Sequence, residues 1–179
     1  ALDKSARRNG HKLISASASE GSMGRDHLKQ LLGLVDKSPY VFVLETNGLI
    51  LGHDRDRVRE LSGFKNLHVR VSIKGTNPDE YHRLTGAKPS SYELPFKAIE
   101  SLIDDGISMN ACVMASFSSD QGIEEIKQRL SKIRPGLLKS LEVEFITLFP
   151  KVARRLQKEG LKPRRIRHRG RVLSTPQAA

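Results

Sequence analysis

The sequence predicts an α/β domain in which parallel strands alternate with helices, and three observations carry that expectation. Tyr40-Val41-Phe42-Val43-Leu44 is an unbroken apolar run, too continuous for a strand with one wet face and suited to one covered on both. Strand-like and helix-like patterns alternate through five βα units, with no change of composition before the C-terminal tail, as in a single α/β domain. Four strand segments close on small polar clusters: Ser17-Ala18-Ser19-Glu20, Glu45-Thr46-Asn47, Ser72-Ile73-Lys74 and Ser116-Phe117-Ser118. In a parallel sheet these gather at the carboxyl rim, where such folds bind small polar molecules.

Residues 1–10 are polar and unpatterned and read as an irregular lead-in. Residues 11–17 form a modest first strand, and the small, flexible stretch 17–24 leads into a helix over 25–36, where Leu28, Leu31, Leu32 and Val35 make one apolar stripe. A Gly/Ser-rich loop at that helix start presents N–H groups to an anion, or is an ordinary βα turn, since no G-K-[ST] ending follows. The strand from Tyr40 ends at the turn Thr46-Asn47-Gly48, and Asp54 and Asp56 cap a short helix over 57–61.

The alternating segment 67–73 is the next strand, and Asn77 followed by Pro78 starts a helix that stops at Gly86. Ser90 or Ser91 opens another, with Phe96, Ile99, Leu102 and Ile103 on one face and Gly106 as its stop. Residues 109–117 are a buried strand of small side chains, and Ser118-Ser119-Asp120 caps a helix bearing Ile123, Ile126, Leu130 and Ile133 until Pro135 interrupts it. Residues 141–149 read as the last strand, 152–159 as an amphipathic helix, and the chain from Lys162 as an exposed arm. The expected organisation is a lead-in over 1–10, the α/β domain over 11–160 and a basic arm over 161–179.

Between Lys151 and Ala179 stand ten Lys or Arg against Glu159 alone, a net +9 out of the chain's +11. The domain proper is therefore nearly neutral, and the basic character belongs to its end. That segment offers phosphate contacts through Arg154, Arg155, Lys162, Arg164, Arg165, Arg167, Arg169 and Arg171, with RNA as the partner, and no aromatic residue for stacking after Phe149. The plain alternative is a solvated arm. No run reaches the roughly 18 to 20 apolar residues of a membrane span, and residues 1–10 lack the apolar stretch of a secretory signal. The expectation is a cytoplasmic chain without a membrane partner.

The single cysteine, Cys112, lies in an apolar stretch and reads as a small buried residue. The six histidines fall into no ligand spacing such as H-E-x-x-H, so no metal site is expected. Glu142 and Glu144 share one strand face, as a carboxylate pair or as a solvated edge.

The strand ends Leu44-Glu45-Thr46-Asn47-Gly48 and Arg70-Val71-Ser72-Ile73-Lys74-Gly75-Thr76-Asn77-Pro78, with Glu80-Tyr81-His82-Arg83-Leu84-Thr85-Gly86 behind them, resemble the radical S-adenosylmethionine (radical SAM) superfamily, in particular uncharacterised archaeal members. The resemblance spans about residues 13–156 and is most specific over 40–87. It implies a partial TIM-type (β/α) barrel, here of about five parallel strands, since the strand at Leu13 corresponds to the family's second and the first βα unit is missing. In the family a C-x-x-x-C-x-x-C loop after the first strand ligates a 4Fe–4S cluster that binds and cleaves S-adenosylmethionine. This chain has no such loop, and one cysteine cannot supply three thiolates.

The resemblance further implies that the family's G-G-E-P strand end, which contacts the methionine amino group, corresponds to the region of Ser17 and Ser19. Glu20 is kept there, while Ala18-Ser19 replace the glycine pair and Gly21 the proline. It places Ser72 and Lys74 at positions that contact the ribose or carboxylate of S-adenosylmethionine, and Thr46 and Asn47 on the neighbouring rim. The expected function is thus a truncated or degenerate radical-SAM-like domain that retains at most S-adenosylmethionine or nucleoside binding, without a cluster of its own. A missing first unit leaves the Leu13 strand as an open edge, to be covered by residues 1–10, a second copy of the chain or a separate polypeptide.

Overall fold

The computed structural model describes residues 12–17, by their backbone, and 24–175. Five strands, β1 (Lys12–Ser17), β2 (Tyr40–Thr46), β3 (Leu67–Lys74), β4 (Met109–Met114) and β5 (Glu142–Glu144), form one sheet in the order of the sequence. Every neighbouring pair is parallel, as the apolar run and the βα alternation predict. Sequential order means that each crossover steps the same way, so the helices collect on one face of the sheet; the opposite face is the concave one in a barrel. This order is consistent with a partial (β/α) barrel. Among the described residues β1 and β5 do not pair.

The helices are α1 (Arg25–Val35), α2 (Leu49–His53), α3 (Arg55–Leu61), α4 (Pro78–Thr85), α5 (Leu94–Asp104), α6 (Asp120–Ile133), α7 (Leu137–Ser140) and α8 (Pro150–Lys158), with a 3₁₀ turn over Pro89–Glu93 before α5. The core lies between helices and sheet. Phe42, Val69, Val71, Ile73 and Ala111 from the strands meet Leu32, Val58, Phe96, Ile99, Leu102, Ile126 and Leu130 from the helices, all nearly or fully buried. Helix starts follow the expected chemistry: Asn77 Oδ1 accepts from Glu80 N at 2.8 Å ahead of Pro78, and Ser119 Oγ accepts from Gly122 N at 3.0 Å.

Three segments depart from the expectation. Residues 49–53 form α2, a short helix hidden in the sequence by its length and by Gly52. The strand expected over 141–149 pairs with β4 only over Glu142–Glu144, because β4 ends at Met114 and Ile146 N turns to the Ser116 side chain at 2.7 Å; beyond it Thr147 makes a single parallel bridge with Arg167. The exposed arm is a hairpin, β6 (Arg165–His168) and β7 (Arg171–Ser174). Its turn residues, Arg169 and Gly170, both take positive φ, 47° and 79°, as a two-residue primed turn requires, and of the pair only Gly170 hints at this in the sequence. The hairpin is tied to the barrel by Arg164 N and Arg165 N donating to Ser116 O at 2.6 and 3.1 Å, and by Arg167 N donating to Ile146 O at 2.9 Å.

No helix among the described residues is long and apolar enough to cross a membrane.

Candidate functional site

Alternation along β3 sends Val69, Val71 and Ile73 into the helix-side core and His68, Arg70, Ser72 and Lys74 onto the concave face. Lowest lies His68, whose Nδ1 and Nε2 sit 2.8 Å from Ser108 Oγ and from Asn110 Oδ1; Asn110 Nδ2 in turn donates to Glu142 Oε1 at 3.0 Å. Burial pushes the His68 pKa down, against the smaller opposing effects of Asn110 and Glu142. One step up, the Arg70 guanidinium lies 2.8 Å from Glu142, 2.5 Å from Glu144, 3.7 Å from Glu45 and 3.1 Å from Cys112 Sγ. Burial works against its charge, but the bond to Glu142 and the field of Glu144 outweigh it and the guanidinium stays ionised. Glu144 is held below the ordinary carboxylate range because the Cys112 and Arg70 contacts overcome the opposite pull of burial.

Sequence reasoning singled out Glu142 and Glu144 but missed Arg70, the cation that joins them. The pattern His68-x-Arg70-x-Ser72-x-Lys74 on one strand face was the available signal. Ligand atoms of Cys112, Glu142 and Glu144 lie within 4.8 Å of one another, yet Arg70 already supplies positive charge to this group. Burial, only partly opposed by Arg70, pushes the Cys112 thiol up to about 12, so it is a poor thiolate ligand near neutral pH.

Above this layer the strand ends form the rim. Ser72 and Lys74 are partly exposed on the concave side. Thr46 is buried, its Oγ1 accepting from Gly48 N at 3.0 Å, and Asn47 is exposed at the turn with its Oδ1 accepting from Leu49 N at 3.0 Å. Gly48 takes φ +73° there, a conformation glycine adopts without cost. Ser17 ends β1 opposite Glu45, known by its backbone, while Ser19 and Glu20 lie outside the described residues. Glu80 is buried and binds the two neighbouring rim loops together, accepting from Thr76 N, Thr76 Oγ1 and Ser118 Oγ at 2.8, 2.8 and 3.0 Å.

Between this rim and α8 opens a cleft of about 730 Å³, with Lys74, Arg83 and Arg155 around an apolar floor that includes Met114, Phe117 and Leu156. A smaller hollow of about 440 Å³ adjoins it, sharing Arg83 and Phe117 and adding Arg164. Lys74, expected as a cofactor contact, and Arg155, expected as a nucleic-acid contact, thus line one cavity. Of the other basic residues singled out, Arg154, Lys162, Arg167, Arg169 and Arg171 are exposed, and Arg165 is engaged by Asp120, by Ser118 O at 3.1 Å and by the Phe145 ring.

No family model matches the chain. Among curated proteins it is 30% identical over 128 residues to the probable GTP 3',8-cyclase of Pyrobaculum aerophilum, a match covering 70% of this chain and 39% of that protein. It is 26% identical over 114 residues to the probable GTP 3',8-cyclase of Methanosarcina acetivorans, covering 61% and 32% respectively. These relatives support the radical SAM relationship. The matches span between about a third and two fifths of the relatives' length.

A radical SAM cluster needs three thiolates, and the residues here do not fit one: Cys112 is the sole cysteine, fully buried and held as a thiol.

Proposed function

We propose that this chain is a radical-SAM-like α/β module that binds S-adenosylmethionine or a related nucleoside at the strand-end rim, without ligating a cluster through its own residues. The observation that carries the reading is the cleft at the carboxyl ends of β3 and β4, where Lys74, Arg83 and Arg155 surround an apolar floor. Purine nucleosides pair a flat, weakly polar base with a charged or polar tail, and this floor and rim complement those two parts. Arg83 and Arg155 suit a phosphate-bearing tail, and Lys74 a carboxylate. The relatives' name gives GTP as what they act on, which makes a guanosine nucleotide the second ligand to test.

Titration calorimetry with S-adenosylmethionine and with GTP checks this reading. Saturable one-to-one heat is expected for at least one of the two, weakened tenfold or more in Lys74→Ala/Arg83→Ala. Absence of heat with both, or binding unaffected by the double substitution, overturns it.

The same proposal covers the outer edge of β1, the end of the sheet among the described residues. An open parallel edge exposes a row of N–H and C=O groups, and we assign a second copy of the chain as its cover. Light scattering is expected to return a dimer of the 20.0 kDa chain. A stable monomer removes this part of the proposal.

A further inference from the structure

We propose that α8 and the β6–β7 hairpin form a binding surface for single-stranded nucleic acid, next to the cleft, with which it shares only Arg155 among its cations. Lys151, Arg154, Arg155 and Lys158 recur at i, i+3, i+4 and i+7 of α8 and so line one side of it; all four are exposed. They flank a shallow open groove together with Glu159. Arg167, Arg169 and Arg171 of the hairpin are exposed as well, as is Arg164 just ahead of it in the chain. Among the described residues none of these eight cations has an ion-pair partner, in contrast to Arg165, which Asp120 holds.

Tertiary structure gives this charge a fixed shape. A free arm would carry its cations as a mobile cloud, but the backbone bonds from residues 164, 165 and 167 to Ser116 and Ile146 seat the hairpin on the barrel. Regularly spaced cations on fixed elements complement the regularly spaced phosphates of a nucleic-acid strand. Phe149, 65% exposed and two residues ahead of Lys151, adds one face on which a base can stack. A bilayer fits less well: the apolar residues of α8, Val152 and Leu156, line the cleft toward the barrel and are turned away from the basic side that would meet headgroups.

Fluorescence anisotropy with a labelled 20-nucleotide single-stranded RNA, and with DNA of the same sequence, tests the surface. With four phosphates engaged, log affinity is expected to fall with log salt at a slope near −3, about a fiftyfold loss between 50 and 200 mM. Lys151→Glu/Arg154→Glu/Lys158→Glu, exposed positions that spare the cleft residue Arg155, is expected to weaken binding at least tenfold while leaving the S-adenosylmethionine and GTP titrations unchanged. Arg167→Gln/Arg171→Gln is expected to weaken it several-fold. Wild-type binding by the triple variant, an affinity indifferent to salt, or retention on phosphatidylserine vesicles without retention of either strand overturns the proposal.

Discussion

Arg70→Met is expected to cost about 2 to 3 kcal/mol at pH 7, a fall in Tm of roughly 4 to 12 °C for a chain of this size. The substitution keeps much of the side chain's volume but leaves Glu45, Glu142 and Glu144 facing one another on the concave sheet face without their common cation. Breaking a fully buried pair costs about 3 to 5 kcal/mol. The figure here is set lower because Glu142 and Glu144 keep 31% and 39% of their side-chain surface in water. Thermal melts of wild type and variant across pH measure it.

The sign of the pH dependence follows from Glu144, whose folded pKa is lowered. A lowered carboxylate contributes stability above its unfolded pKa and loses it as pH falls through the folded value. In Arg70→Met the attraction to Arg70 is gone and the carboxylates repel, so the deficit is full at neutral pH. The two melting curves then converge as acid protonates the carboxylates. Glu142→Gln/Glu144→Gln in the Arg70→Met background is expected to recover part of the loss, a coupling that independent sites would not show. An unchanged Tm at pH 7 would remove Arg70 from the centre of the site.

Gly52→Val is expected to cost at least about 3 kcal/mol. A Cβ at Gly52 would overlap the backbone carbonyl of Leu94, where α2 crosses the start of α5, closer than any real contact. Backbone on both sides leaves no flexible side chain to yield. Because α2 begins directly after the Thr46-Asn47-Gly48 turn, displacing it disturbs the rim as well as the core. Gly33→Ala provides the contrast: its Cβ would meet nothing within 4 Å inside α1, so a gain of about 0.5 to 1 kcal/mol is expected from helix propensity. Chemical denaturation of the two variants reads both effects. Equal stability of Gly52→Val and wild type would contradict the packing described for α2.

Much of the fold was legible because it rests on local patterns. The apolar run 40–44 marked a covered strand, Asn77-Pro78 and Ser119 marked helix starts, and the βα alternation marked a parallel sheet; each is a property of neighbours in the chain. The rim was legible in part, since strand ends in a parallel sheet must share one side, which brought Ser72 and Lys74 to the concave mouth. Arg70 escaped because its partners stand 72 and 74 positions away: the alternation His68-x-Arg70-x-Ser72-x-Lys74 places it on the polar face of its strand but does not say which carboxylates it meets there.

The sequence by itself determined the alternation of elements, their caps and stops, the count of thiols and the concentration of positive charge after residue 150. Only the tertiary structure decided that the end of this charge is seated on the sheet domain as a hairpin, that Lys74 and Arg155 share a cleft, and that three carboxylates converge on one guanidinium. The physical reason is range: hydrogen-bonded turns and helix caps are settled within a few residues, whereas ion pairs, clefts and edges are settled by which distant segments the packed core brings together.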